Sequence, residues 1–232
     1  MTENQIDNEL KSILALYKRA LPLKELPRIG WIMEGCTRSE SDSIAAHSYS
    51  VALVSYLTAK RLDEKREKGE LILNKPIRWD HVLAMAVLHD LAESVTGDMA
   101  TGFKQYVSSR PEYATLIEDL EHGFLKKLVG DDLTKIVEEY DSMSTPEARI
   151  VKFADVLDAF GFAEERMKRR FETYLDNSRN KLAKPCPINN NAKAEDAEKV
   201  GELLAEWLEQ AIEYWHDIPP LLSKGGYVLG DS

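Results

Sequence analysis

His89 and Asp90 stand side by side at the end of the apolar run Val82-Leu83-Ala84-Met85-Ala86-Val87-Leu88. An imidazole or a carboxylate carried into an interior by such a run is costly unless it is hydrogen-bonded, ion-paired or metal-bound. Two in succession point to a shared electrophile, for which a divalent metal is the natural choice. Two distant residues, His47 and Asp155, also interrupt apolar helical patterns. Val51 and Val54 follow His47 about one and two turns on, and Val151 and Ala159 flank Asp155 at four-residue spacing, so both polar side chains face other helices. Taken singly, His47 reads as an ordinary core histidine and Asp155 as a structural ion-pair partner. Jointly, His47, His89, Asp90 and Asp155 form a mixed nitrogen and oxygen set suited to one divalent transition metal (Mn, Co, Fe, Zn or Ni) better than to calcium.

The order His, His-Asp, Asp resembles the signature of the HD-domain phosphohydrolase superfamily. Longer strings carry the resemblance towards its 5′-deoxynucleotidase branch: Arg28-Ile29-Gly30-Trp31, Glu40-Ser41-Asp42-Ser43-Ile44-Ala45-Ala46-His47-Ser48, His89-Asp90-Leu91-Ala92-Glu93-Ser94-Val95-Thr96-Gly97-Asp98, and Glu147 to Asp155 with its Lys152-x-x-Asp155 spacing. The similarity runs from about Leu10 to Phe162. It implies an all-α HD-domain helical bundle around a mononuclear metal site, because the two extra histidines of two-metal HD phosphodiesterases are missing and only His122 lies between the doublet and Asp155. The guanosine tetraphosphate hydrolase branch is disfavoured, since Glu93 is followed by Ser94 rather than Asp.

Further roles follow from residue chemistry and the resemblance together. Glu93, four residues after His89, is placed about one turn along the same helix, where its carboxylate can take the proton of an attacking water. Asp98 follows Gly97 at the expected helix end, and the resemblance makes it a second catalytic or sugar-binding carboxylate. Arg28 offers a planar fork of donors for a phosphate, and Trp31 a flat wall which, by the resemblance, helps to reject a 2′-hydroxyl. In the resembled nucleotidases the tryptophan can directly follow the arginine, whereas here Ile29 and Gly30 intervene. Lys104, Glu139 and Lys152 complete the expected substrate contacts. His81 and His122 are expected to lie outside the centre.

The elements that must position these residues are helical almost throughout. Ile6, Leu10, Ile13, Leu14 and Tyr17 form a first apolar stripe; about Asp42 to Arg61 and Trp79 to Val95 form the next two helices, followed by Pro111 to Leu128 and Asp132 to Tyr140. A long helix then opens either with Ser144 and Glu147 as a capping box or with Thr145 as cap and Pro146 at its first position. The mixed charge run from Arg61 to Glu70 reads as a solvated helix end and loop. One HD domain is expected over residues 1–232: core about 10–175, a long loop over 177–194, a C-terminal helix over 195–215 and a tail over 217–232.

Composition limits the setting. A formal charge of −10 over 232 residues argues against a protein that tracks a nucleic-acid polymer. It leaves room for small anions neutralised locally by a metal and a few cations. The two cysteines, Cys36 and Cys186, form no disulfide framework, and the polar start Met1-Thr2-Glu3-Asn4-Gln5 has neither a basic nor an apolar leader region. No apolar run approaches the ~20 residues that cross a bilayer. The expectation is a cytoplasmic, metal-dependent phosphomonoesterase acting on deoxyribonucleoside 5′-monophosphates, a homodimer by resemblance, with a small nucleotide as its ligand. Two alternatives share these residues: an HD hydrolase of other nucleotides or small phosphate esters, and a non-catalytic helical protein that binds a metal or nucleotide. Glu93 and Asp98 favour catalysis, because a structural metal needs neither a base nor an open position.

Overall fold

A computed structural model describes residues 3–169, 171–186, 192–217, 222–223 and 226–227. Among the described residues eleven α-helices follow one another: α1 Glu3–Ala20, α2 Ile29–Met33, α3 Ile44–Glu67, α4 Trp79–Leu88, α5 Glu93–Thr96, α6 Thr101–Ser108, α7 Leu116–Val129, α8 Asp131–Ser142, α9 Pro146–Phe162, α10 Glu172–Ala183 and α11 Ala192–Tyr214. The all-α class expected from the sequence is what the structure shows. Strand pairing among the described residues is confined to β1 Leu222–Ser223 against β2 Gly226–Tyr227 and one bridge between Pro27 and Ser43.

Helix α9 runs through the middle of the bundle, packed against α3, α4, α8, α10 and α11. Its sequence is apolar on nearly every side, as a central helix requires. Ala148, Ile150, Val151, Ala154 and Val156 are completely covered, and Phe153 and Phe160 almost so. Full burial of each of the larger side chains contributes about 1.5–3 kcal/mol. Of the two openings that the sequence offers for α9, the structure takes the second. Thr145 is the extended N-cap, its hydroxyl accepting from the Ala148 N–H at 3.2 Å, and Pro146 occupies the first turn. Glu147 turns instead to Arg78, accepting from its backbone N–H and its Nε. That start sets Asp155 about two and a half turns into the helix.

Two expectations are corrected. The helix expected from Trp79 to Val95 stops at Leu88. The chain then tightens into i to i+3 bonds, Leu91 N–H to Leu88 O, Glu93 N–H to Asp90 O and Ser94 N–H to Leu91 O, before the single turn of α5. His89 Nδ1 takes the Ala86 carbonyl at 2.8 Å, a side-chain bond that competes with continuation of the helix. Gly97 then ends α5 at a φ of +70°, a conformation that suits glycine. The second correction concerns the loop expected over 177–194, because residues 177–183 belong to α10 and α11 begins at Ala192. The polar stretch Asp176-Asn177-Ser178-Arg179-Asn180 is a weak helix former on its own. Leu175, Ser178 and Leu182 bury one face of it, and the buried Arg149 guanidinium donates to the Lys181, Leu182 and Lys184 carbonyls, closing its C-terminus. A Cβ at Gly201 would lie 2.3 Å from the Leu182 carbonyl, so α11 can approach this end only through a glycine. Residues 187–191 and most of the expected tail lie outside the described residues.

Candidate metal centre

The four expected ligands converge from three parts of the chain. His47 projects from the first turns of α3, His89 and Asp90 from the tightened end of α4, and Asp155 from α9. His47 Nε2 lies 3.3 Å from Asp155 Oδ1 and 3.6 Å from Asp90 Oδ2, and His89 Nε2 lies 3.2 Å from Asp90 Oδ2. Each imidazole is oriented through its other nitrogen. His89 Nδ1 meets the Ala86 carbonyl, which fixes the proton there, and His47 Nδ1 meets Asp158 Oδ2 at 2.6 Å. Both Nε2 atoms are buried and make no hydrogen bond. Two imidazole nitrogens, each held by a carbonyl or carboxylate behind it and turned without a partner towards two carboxylates, fit a divalent cation with its usual supporting shell.

The electrostatics agree. Burial alone would raise the Asp90 and Asp155 carboxyls, yet His89 and His47 hold Asp90, and Lys152 and His47 hold Asp155, well below the ordinary carboxylate range. Burial and the Arg28 charge pull the His47 imidazole down, but Asp155, Asp158 and Asp90 outweigh them and leave it at about 9. The pocket thus draws positive charge, a proton or a metal competing for the same nitrogen. Asp42, His47 and Asp158 form another acidic group, and there the guanidinium of Arg28 already lies against His47 Nδ1 and 3.8 Å from Asp158.

Glu93 is buried beside these ligands. Burial, then the charges of Asp90 and Asp98, raise its carboxyl to about 10 against the opposing pull of Lys104 and Arg28. Lys104 Nζ lies 3.9 Å from Glu93 Oε1 and donates to Glu121 at 3.1 Å. Asp98, one residue past the glycine turn, accepts the Ile29 N–H through Oδ2 at 2.6 Å, and the Arg28 N–H donates to the Asp42 carbonyl at 3.1 Å. These two bonds tie the one-turn helix α2 to the Asp42 and Asp98 segments beside the site. Trp31 on α2 stacks on Phe162, the last residue of α9, with centroids 4.9 Å apart and planes 19° apart, and the Arg28 guanidinium lies 6.0 Å from the indole ring.

The structure therefore gathers His47, His89, Asp90, Asp155, Glu93 and Lys104, with Arg28 against His47, Trp31 beside Arg28 and Asp98 bonded to Ile29. Lys152, expected among the substrate contacts, gives its ammonium to Asp155 Oδ2 at 2.7 Å. Glu139 is engaged elsewhere: Thr145 and Arg78 donate to its Oε1, and His81 meets its Oε2. His122 pairs with Asp141 on the outside of α7 and α8, and neither His81 nor His122 joins the ligand cluster. Sequence reasoning missed Asp158, Tyr140 and Glu121 as neighbours of the centre. Asp158 had a signal, lying three residues after Asp155 on the same helix face; Tyr140 of α8 had one in the Glu138-Glu139-Tyr140 string that shares the family resemblance, and Glu121 of α7 carried none.

A family model for the HD domain matches residues 21–193. The chain belongs to the HD-domain family. Among its relatives, the 5′-deoxynucleotidase HDDC2 of Xenopus laevis is 29% identical over 184 residues, spanning 75% of this chain and 82% of the relative. That of Dictyostelium discoideum is 28% identical over 188 residues, 76% of this chain and 93% of the relative. A conserved hypothetical protein from Pyrococcus furiosus shares the fold with a TM-score of 0.61 at 28% identity, over 86% of this chain and 99% of that one. The resemblance to the 5′-deoxynucleotidase branch of the HD-domain family holds. No described helix is long and apolar enough to cross a membrane.

Proposed function

We propose that the protein is a metal-dependent phosphomonoesterase that hydrolyses deoxyribonucleoside 5′-monophosphates to nucleoside and phosphate. The observation that carries this reading is the pair of buried, unpartnered imidazole nitrogens facing Asp90 and Asp155, with Glu93 and Arg28 beside them. His47, His89, Asp90 and Asp155 would hold one divalent transition metal (Mn, Co, Fe, Zn or Ni), which when bound supplies Lewis acidity to a phosphoryl oxygen and makes water a stronger nucleophile near neutral pH. Glu93 takes the proton of the attacking water. Burial and the charges of Asp90 and Asp98 push its carboxyl up to about 10 despite Lys104 and Arg28, and added positive charge beside Asp90 favours the ionised form that a base requires. Arg28 stays cationic and balances charge on the transferring group, with Lys104 a second cation that can leave Glu121 for a phosphate oxygen. Asp98 has one oxygen committed to Ile29, and the leaving 5′-oxygen takes its proton from Asp98 or from water. Trp31 forms the wall beside the sugar.

The reading includes a cytoplasmic homodimer. A second copy could cover the exposed row Tyr49, Leu53 and Leu57 along α3, which sedimentation at graded concentrations would test. The substrate test is kcat/KM across nucleoside mono-, di- and triphosphates with each metal. All four deoxyribonucleoside 5′-monophosphates should be hydrolysed, with ribonucleotides poorer and 3′-monophosphates poorer still. Equal efficiency on dAMP and AMP would defeat the deoxy-specific part, and phosphate release from triphosphates alone would move the assignment to another nucleotide.

A further inference from the structure

The two oxygens of the Asp155 carboxylate have different surroundings. Oδ2 accepts from Lys152 Nζ at 2.7 Å and from the Tyr140 hydroxyl at 3.0 Å, while Oδ1 faces His47 Nε2 at 3.3 Å. Lys152 comes from the preceding turn of α9 and Tyr140 from α8, so two elements converge on the same oxygen. The ammonium also lies 5.9 Å from the centroid of the Tyr140 ring, which binds the three groups into one unit.

We propose that Lys152 and Tyr140 are positioning residues that hold Asp155 as a one-oxygen ligand, keep a coordination position of the metal free for the reaction, and set the site against calcium. The inference rests on the reading of His47, His89, Asp90 and Asp155 as a metal centre. A carboxylate oxygen that already takes two donors, one of them cationic, has little electron density left to offer, and a cation drawn towards it would approach the Lys152 charge. Only Oδ1 is available. A carboxylate binding through both oxygens would fill the position that a catalytic centre leaves open. Calcium, with six to eight oxygen ligands, gains most from a carboxylate free to bind through both. Lys152 thus lowers the overall affinity for cations and in return fixes how Asp155 presents itself.

This arrangement predicts an outcome opposite to that of ordinary structural damage. Lys152→Met removes a positive charge from beside the metal and frees Oδ2. Mn²⁺ should then bind more tightly, by about tenfold, Ca²⁺ should gain more than Mn²⁺, and kcat should fall. Tyr140→Phe removes one neutral donor and should move the Ca²⁺/Mn²⁺ affinity ratio the same way by about two- to threefold. The measurement is competition of the full-length protein with a chelating indicator for each ion. It is paired with the visible spectrum of the Co²⁺-loaded protein, whose bands should weaken as the coordination number rises, and thermal melting checks that each variant is folded. Weaker or unchanged Mn²⁺ binding in folded Lys152→Met, with an unchanged Ca²⁺/Mn²⁺ ratio and an unchanged Co²⁺ spectrum, would overturn the proposal while leaving the metal centre standing. Should Lys152→Met fail to fold, an unchanged ratio and spectrum in Tyr140→Phe would do the same. A parent protein that takes up neither Mn²⁺ nor Co²⁺ would overturn the metal reading itself and this inference with it.

Discussion

His47 and Asp155 are carried by helices of 24 and 17 residues, α3 and α9, whereas Trp31 rides on the five-residue α2 with Arg28 as its N-cap, and Lys104 on the eight-residue α6. The long helices bury most of what surrounds the ligands. Neither α2 nor α6 contains a buried residue, and α2 is held by a few contacts at its ends, among them Arg28 N–H to Asp42 and Ile29 N–H to Asp98, and by the Trp31 stack on Phe162. Elements with few covered apolar contacts open at low free energy, while core helices open only with the whole fold. The metal side is therefore preorganised, which catalytic charge stabilisation requires, and the mouth can adjust around a ligand. On the proposed reading, metal and water chemistry belong to the first region, and phosphate binding and sugar discrimination to the second.

The largest expected effect tests the preorganised side. The double substitution His89→Ala, Asp90→Ala removes one unpartnered imidazole and the carboxylate that lies near both histidines, so metal content should fall from one ion per chain to none, with all turnover lost. Elemental analysis of reconstituted protein checks it. Two tightly held ions in the parent, or full metal content in the double variant, would contradict a mononuclear centre built on these residues.

Next in size is Glu93→Ala. Glu93 lies next to the ligands without belonging to the four, so the variant should keep its metal and lose turnover by ~10² to 10⁴, the usual contribution of a positioned acid or base. Loss of the carboxylate charge is tolerated electrostatically, since burial and the charges of Asp90 and Asp98 already push the Glu93 carboxyl up to about 10. Metal content and rate should separate. Parent-like hydrolysis by Glu93→Ala would end its role as the proton acceptor.

The same division governs how much the sequence made legible. The inward placement of candidate ligands on long helices is readable because apolar periodicity fixes which side of a helix faces inward: Val51 and Val54 orient His47, and Val151 and Ala159 orient Asp155. The cap of α9 could be narrowed to two openings from Ser144, Thr145 and Pro146 alone. Where the pattern failed, a side chain from afar had intervened. Residues 177–183 look like a loop because their helicity depends on Arg149, some thirty residues away, and on burial against α9 and α11. The helix through His89 looked continuous because nothing in the apolar run shows that the histidine will bond to its own backbone. Lys152 and Glu139 were placed among the substrate contacts by spacing and resemblance; their partners, Asp155 and the Arg78, His81 and Thr145 group, are properties of packing.

The smallest effect tests the adjustable side and whether it discriminates at all. Trp31 connects the two regions. It sits on α2 but stacks on Phe162, seven residues and about two turns beyond Asp155 on α9, so the helix that presents a metal ligand also supports the wall. Phe171 lies on another side of the indole at 6.0 Å. Trp31→Ala should leave metal content unchanged and reduce the dAMP to AMP ratio of kcat/KM by about tenfold, because an excluded hydroxyl is worth only ~1–3 kcal/mol in an apolar pocket. The change should come chiefly from better use of AMP. Trp31→Phe separates shape from polarity: the indole Nε1 is buried without a hydrogen-bond partner, and phenylalanine keeps a ring while removing that N–H. If the phenylalanine variant retains the parent ratio, the flat wall does the discriminating. If it loses the ratio as fully as alanine does, the N–H is the selective group. An unchanged ratio in both would show that sugar selection lies away from α2, and the contrast between a chemical side and a discriminating side would have to be redrawn around Lys104 and Asp98.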